Sequence, residues 1–147
     1  MPNYNLFCTT TIIVFIISVS VISCEFFDYA DINKKGIYVS NGIFIKSKEY
    51  KWSDVTYSEV SYKRGYKNKI EIIYDIYLND GEVVHAYSAE KFFRDIINLD
   101  NFMKDKKIVI NREKILSNDY SDFSSQYKGP TRSNDDGLKV VLEIFNK

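Results

Sequence analysis

The sequence predicts an α+β protein: an antiparallel β-meander or small partly open barrel, packed by an amphipathic helix and closed by a short C-terminal helix. Three observations carry this. Short runs rich in Tyr, Ile and Val are joined by Asn-Gly and Asp-Gly pairs, the apolar period changes from two to about 3.6 near Ser88, and helical spacing returns at Leu138. The 147 residues suit one core of ordinary size, and 12 Tyr, 10 Phe and 1 Trp supply apolar area for it.

Taken in order, the chain begins with a different material. No charged side chain precedes Glu25 and no Lys or Arg precedes Lys34. Ile12 to Ile17 reads IIVFII, the length and character of a signal-peptide core or a short anchor, so residues 1–23 are assigned to a signal peptide or membrane anchor. Residues 24–34 read as an acidic-aromatic linker, and 35–147 as a single α+β domain. Gly36 to Ser40 and Ile43 to Lys46 flank Asn41-Gly42, a pair suited to a type I′ hairpin turn because both central residues need positive φ. Glu49 to Val55 continues as a strand or strand-turn, and Thr56 to Lys63 as another strand. Lys69 to Leu78 is the longest strand, with Ile70, Ile72, Tyr74, Ile76 and Leu78 on one face. Asn79-Asp80-Gly81 then turns the chain into Glu82 to Tyr87.

Ser88 is a suitable N-cap for a helix from Ala89 to about Lys104, whose face carries Phe92, Phe93, Ile96, Ile97, Leu99 and Met103. Lys107 to Asn111 is a short strand. Residues 118–137, rich in Ser, Asp, Asn and Gly, read as a long loop, and Leu138, Val141, Leu142 and Phe145 define the closing helix.

The end of the leader is specific. Val21-Ile22-Ser23-Cys24 resembles the lipobox of bacterial lipoprotein precursors. The resemblance implies cleavage before Cys24, lipidation of its sulfur, and a domain held on the extracytoplasmic side. A second reading stays open, because the leader has no basic n-region and Leu6 to Cys24 is 19 uncharged residues. An uncleaved anchor would place Lys34, Lys35, Lys46 and Lys48 on its cytoplasmic side by the positive-inside rule.

Behind the leader, the order of hairpin, Tyr50-Lys51-Trp52-Ser53-Asp54-Val55, long strand, Asp80-Gly81, strand and Phe92-containing helix resembles the bacterial pleckstrin-homology-like domains over Gly36 to Lys104. That resemblance implies a small membrane-tethered fold that hosts unrelated binding roles.

The residues argue against catalysis. His85 is the sole histidine, both cysteines (Cys8 and Cys24) lie in the leader, and no HExxH, GxSxG, GxGxxG or GxxxxGK pattern occurs. No cofactor or metal is expected, and Asn134-Asp135-Asp136-Gly137 lacks the spacing of a calcium loop. Carboxylate pairs remain as candidates, Asp54 with Glu59 and Asp119 with Asp122. With 20 basic against 20 acidic residues the chain lacks the basic excess of a nucleic-acid binder. Charge is uneven, however, and Tyr62 to Lys69 holds Lys63, Arg64, Lys67 and Lys69 with two tyrosines at a strand-to-strand turn. These four cations are the candidate site for an anionic lipid or envelope ligand. The expectation is a non-catalytic, membrane-anchored binding module for a protein or anionic partner.

Overall fold

A computed structural model describes residues 4–26, 28–41, 46–86, 90–128 and 136–146. The chain is α+β, and it divides into two compact units, Met1–Lys51 and Trp52–Lys147, so the division falls inside the region 35–147 that the sequence assigns to one domain.

The first unit contains helix α1 (Tyr4–Phe26) and strands β1 (Asp28–Asn33), β2 (Gly36–Asn41) and β3 (Lys48–Tyr50), paired antiparallel in the order β1-β2-β3. Strand β1 occupies most of the stretch that the sequence assigns to a linker. Its own residues have modest strand propensity, but it pairs along its whole length with β2, from Asp28 opposite Asn41 to Asn33 opposite Gly36. A local side-chain bond closes this hairpin: Asn33 Oδ1 accepts from Lys35 N at 2.9 Å and from Gly36 N at 3.4 Å. Gly36 is required there, since a Cβ would run into the Tyr50 carbonyl of β3. Ile37 and Val39 of β2 and Tyr50 of β3 are buried. Of the Asn41-Gly42 hairpin, the turn at Gly42 and the residues Ile43 to Ile45 lie outside the described residues.

The second unit is built on a four-stranded sheet, β6-β5-β4-β7, comprising β4 (Val55–Arg64), β5 (Ile70–Leu78), β6 (Val83–His85) and β7 (Ile110–Arg112). Between β6 and β7 runs helix α2 (Glu90–Asp105), and after β7 come α3 (Tyr120–Tyr127) and α4 (Gly137–Asn146). The alternation in β5 is as the period predicts, with Ile70, Ile72, Tyr74, Ile76 and Leu78 all buried. Strand β4 needs one irregularity to match it. Val55 is opposite Leu78 but Tyr57 is opposite Tyr77, so Thr56 is a bulge residue. That extra residue lets Val55 share the core face with Ser58 and Val60 despite the odd spacing.

The β5–β6 turn follows its Asn79-Asp80-Gly81 chemistry. Gly81 has φ +86°, and Glu82 N donates to Asp80 Oδ1 at 3.1 Å. The sheet departs from the expected meander at its other edge. After α2 the chain returns beside β4, and β7 pairs with β4 in parallel, Ser58 opposite Ile110 and Val60 opposite Arg112. A helix connection makes this possible, because parallel neighbours need a long crossover where antiparallel ones need only a turn. Among the described residues neither sheet closes into a barrel.

Three helices bring apolar faces to the core of this unit. Ile96 and Met103 of α2, Phe123 of α3, and Val140, Val141, Ile144 and Phe145 of α4 are buried. Helix α2 ends on a left-handed residue, Lys107 with φ +62°, and Ile108 N donates to Met103 O at 3.0 Å, the arrangement that usually selects glycine. Its predicted Ser88 cap lies outside the described residues. Helix α3 falls inside the stretch read as a loop. The segment is polar, and its only buried side chain is Phe123, so it lacks the periodic stripe by which helices announce themselves.

Candidate functional site

Helix α1 is apolar on every side. From Ile12 to Ile22 its large side chains are 46% to 68% exposed. An amphipathic helix hides one face against its own protein; among the described side chains of this one, the large apolar residues from Ile12 to Ile22 hide none. Among the described residues no helix is long and apolar enough to cross a membrane. The described side chains of the stretch run from Cys8 to Ile22, which at 1.5 Å per residue cover about 22 Å of a hydrocarbon core about 30 Å thick. Cys8 is exposed. Cys24 lies in the last turn of α1.

The basic candidates gather at the β4–β5 turn, as the spacing predicts, but they are not equivalent. Arg64 Nη2 lies 2.5 Å from Asp119 Oδ1 and 2.8 Å from Asp122 Oδ2, which ties the end of β4 to α3. Both carboxylates therefore serve one guanidinium. Tyr62 joins the same cluster, its hydroxyl donating to Asp119 Oδ2 at 2.7 Å and accepting from Leu116 N at 3.2 Å. The Tyr62 hydroxyl and the Arg64 guanidinium hold the Asp119 carboxyl below the usual aspartate range. Lys63 Nζ is 3.5 Å from Glu71 Oε2, directly across the hairpin. Lys67 and Lys69 are exposed, and neither forms an ion pair among the described residues.

A second ionic cluster escaped the sequence reading. Asp100 of α2 is fully buried, and its Oδ1 accepts from Arg112 Nη2 at 2.7 Å and from the Tyr74 hydroxyl at 3.1 Å. Lys104 Nζ approaches Oδ2 to 2.9 Å without hydrogen-bond alignment. Arg112 also donates to the Ile144 carbonyl near the end of α4, where a cation suits the helix dipole. Burial alone would raise the Asp100 carboxyl, but Arg112 and Lys104 outweigh it and hold the group below its ordinary value. Burial pushes the Tyr74 phenol far upward. One signal in the sequence marked this residue: Asp100 sits four residues after Ile96 and three before Met103, on the apolar stripe of the helix.

The remaining candidates disperse. His85 Nδ1 is 2.8 Å from Asp75 Oδ1 on the outer face of the sheet. Glu59 accepts from the Tyr77 hydroxyl at 3.2 Å, while Asp54 precedes β4 in a short helical turn whose carbonyl receives Asn79 N at 2.9 Å. Asp54 and Glu59 thus belong to different local networks. No group of three or more metal-ligating side chains occurs among the described residues.

Comparison with known proteins gave no match to any family model, curated protein or solved structure.

Proposed function

We propose that the protein is a membrane-anchored lipoprotein, cleaved before Cys24 and lipidated there, that presents a small non-catalytic binding module on the extracytoplasmic side. The observation that carries this reading is α1, whose residues 4–24 are uncharged, whose large apolar side chains from Ile12 to Ile22 are exposed, and which carries Val21-Ile22-Ser23-Cys24 near its C-terminal end. Apolar surface of this kind is favoured in an apolar medium over water. A thiol preceded by a small residue supplies the nucleophile for thioether formation. The pleckstrin-homology-like assignment rests on two local features in their structural setting. Trp52 opens the second unit buried against Phe102, with ring centroids 4.9 Å apart, and Asp80-Gly81 turns β5 into β6.

Metabolic labelling with a fatty-acid analogue tests the proposal. Label is expected in the native chain and absent in Cys24→Ala, and the mature mass is expected to lack residues 1–23. Label retained in the variant refutes the assignment. An unlabelled chain of full mass, with its domain protected from protease in intact cells, supports instead a single-pass anchor with a cytoplasmic domain.

A further inference from the structure

We infer that the tip of the β4–β5 hairpin is a second membrane contact, in which Tyr66, Lys67 and Lys69 engage the interface of an anionic bilayer. The inference rests on the membrane attachment proposed above and adds a site to it. Of the four cations in this turn, two are already spoken for: Lys63 by Glu71, and Arg64 by Asp119 and Asp122. What remains at the tip is a pair without an ion-pair partner among the described residues, Lys67 and Lys69, beside a tyrosine that is 81% exposed.

Tyr66 separates a lipid surface from a dissolved polyanion as the occupant. A polyanion needs only the charges. A ring with an apolar body and a polar end fits the boundary between headgroups and acyl chains, where tyrosines concentrate in membrane proteins. Lys67 Nζ lies 5.3 Å from the centroid of the Tyr66 ring, so cation and ring are presented together.

The tip is also held in shape before any partner arrives. Gly65 N donates to Lys69 O at 2.8 Å and Lys69 N to Tyr66 O at 3.3 Å. Gly65 packs so closely on Glu71 that a Cβ would strike its carboxylate. Lys67 and Asn68 both have φ +57°, a left-handed backbone that ordinary side chains rarely adopt in succession. Arg64, pinned to α3, anchors the base of the turn. A preorganised tip loses little conformational entropy on contact.

Hydrogen exchange on the full chain tests the site, comparing vesicles of phosphatidylcholine with vesicles that also contain phosphatidylglycerol. Residues 65–69 are expected to exchange more slowly on the anionic vesicles alone, and 0.5 M salt is expected to abolish the difference. Lys67→Gln and Lys69→Gln are each expected to weaken the protection about fivefold. Tyr66→Ser is expected to reduce it with charge unchanged. These side chains are exposed, so loss of fold is read separately from the exchange of β5. Equal exchange on both vesicles, or protection by soluble polyphosphate as strong as by anionic lipid, overturns the inference. If the chain fails to sediment with neutral vesicles, the N-terminal membrane attachment proposed above is what fails. The tip must then still drive sedimentation with anionic vesicles through residues 66, 67 and 69, or it is refuted as well.

Discussion

Two arginines of the second unit tie a strand to helices, and their surroundings make them different interactions. Arg112 on β7 reaches Asp100 of α2 and the Ile144 carbonyl of α4, with side-chain exposures of 9% for the arginine and 0% for the aspartate. Arg64 at the end of β4 reaches Asp119 and Asp122, with exposures of 40%, 14% and 47%. The distances are similar; the solvent is not. In the buried pair each charge has left water and depends on the other, so removing one strands its partner. In the exposed cluster water replaces whatever is lost. Close contacts of one chemical type therefore report different things in these two places, a constraint on the core in one and a local tether in the other.

The largest effect that probes this contrast comes from Asp100→Ala. It leaves Arg112 charged and buried, and is expected to cost about 3 to 5 kcal/mol in the midpoint of chemical denaturation. The double variant Asp100→Leu with Arg112→Met is expected to recover most of that loss, since an apolar pair of similar volume removes both desolvation costs. A double variant as unstable as the single one would show that the charges carry the packing.

Acidification is the next test. Asp100 and Asp119 both have folded values below their ordinary ones. Their contribution is therefore complete above the unfolded aspartate value near 4 and is lost as pH falls through the folded values. Stability followed by circular dichroism is expected to decline below about pH 4. In Asp100→Asn that acid limb is expected to become shallower, because only Asp119 of the two then titrates. At the other extreme Tyr127, pushed up to about 12 by burial, contributes fully below its ordinary value of 10.0 and loses that contribution as pH rises towards 12.

The smallest expected effect belongs to Arg64→Ala. Because water and salt already screen that cluster, the change in global midpoint should be slight and should disappear in high salt. The local consequence is larger. Hydrogen exchange in α3 is expected to quicken, since Arg64 is one of the few ties between that helix and the sheet. A global loss comparable with that of Asp100→Ala would abolish the distinction between the two clusters.

Much of this fold could be read from the residues. The alternation of β5, the Asn79-Asp80-Gly81 turn, the body of α2 and the apolar spacing of α4 each have a local physical cause that survives folding unchanged. Where the reading differed, the cause was not local. Strand β1 owes its existence to β2, and the parallel place of β7 beside β4 follows from where α2 delivers the chain. Helix α3 contributes one buried ring, Phe123, but it is also held by bonds that cross more than fifty positions of sequence. Gln126 exchanges both amide bonds with Ile70 at the start of β5, accepting from its N–H at 2.7 Å and donating to its carbonyl at 2.6 Å.

The candidate sites divide along the same line. By itself the sequence determined the charge-free N-terminal stretch ending at Cys24, the chemical sparsity of a chain with one histidine, and the crowding of four cations into one turn. Those are properties of composition and spacing. Only the tertiary structure decided which cations are compensated, because Asp119 and Asp122 lie more than fifty residues from Arg64 and come to it only when α3 docks. It likewise decided that Asp100 is a buried ion among apolar neighbours, for the energy of a charge depends on what surrounds it in space.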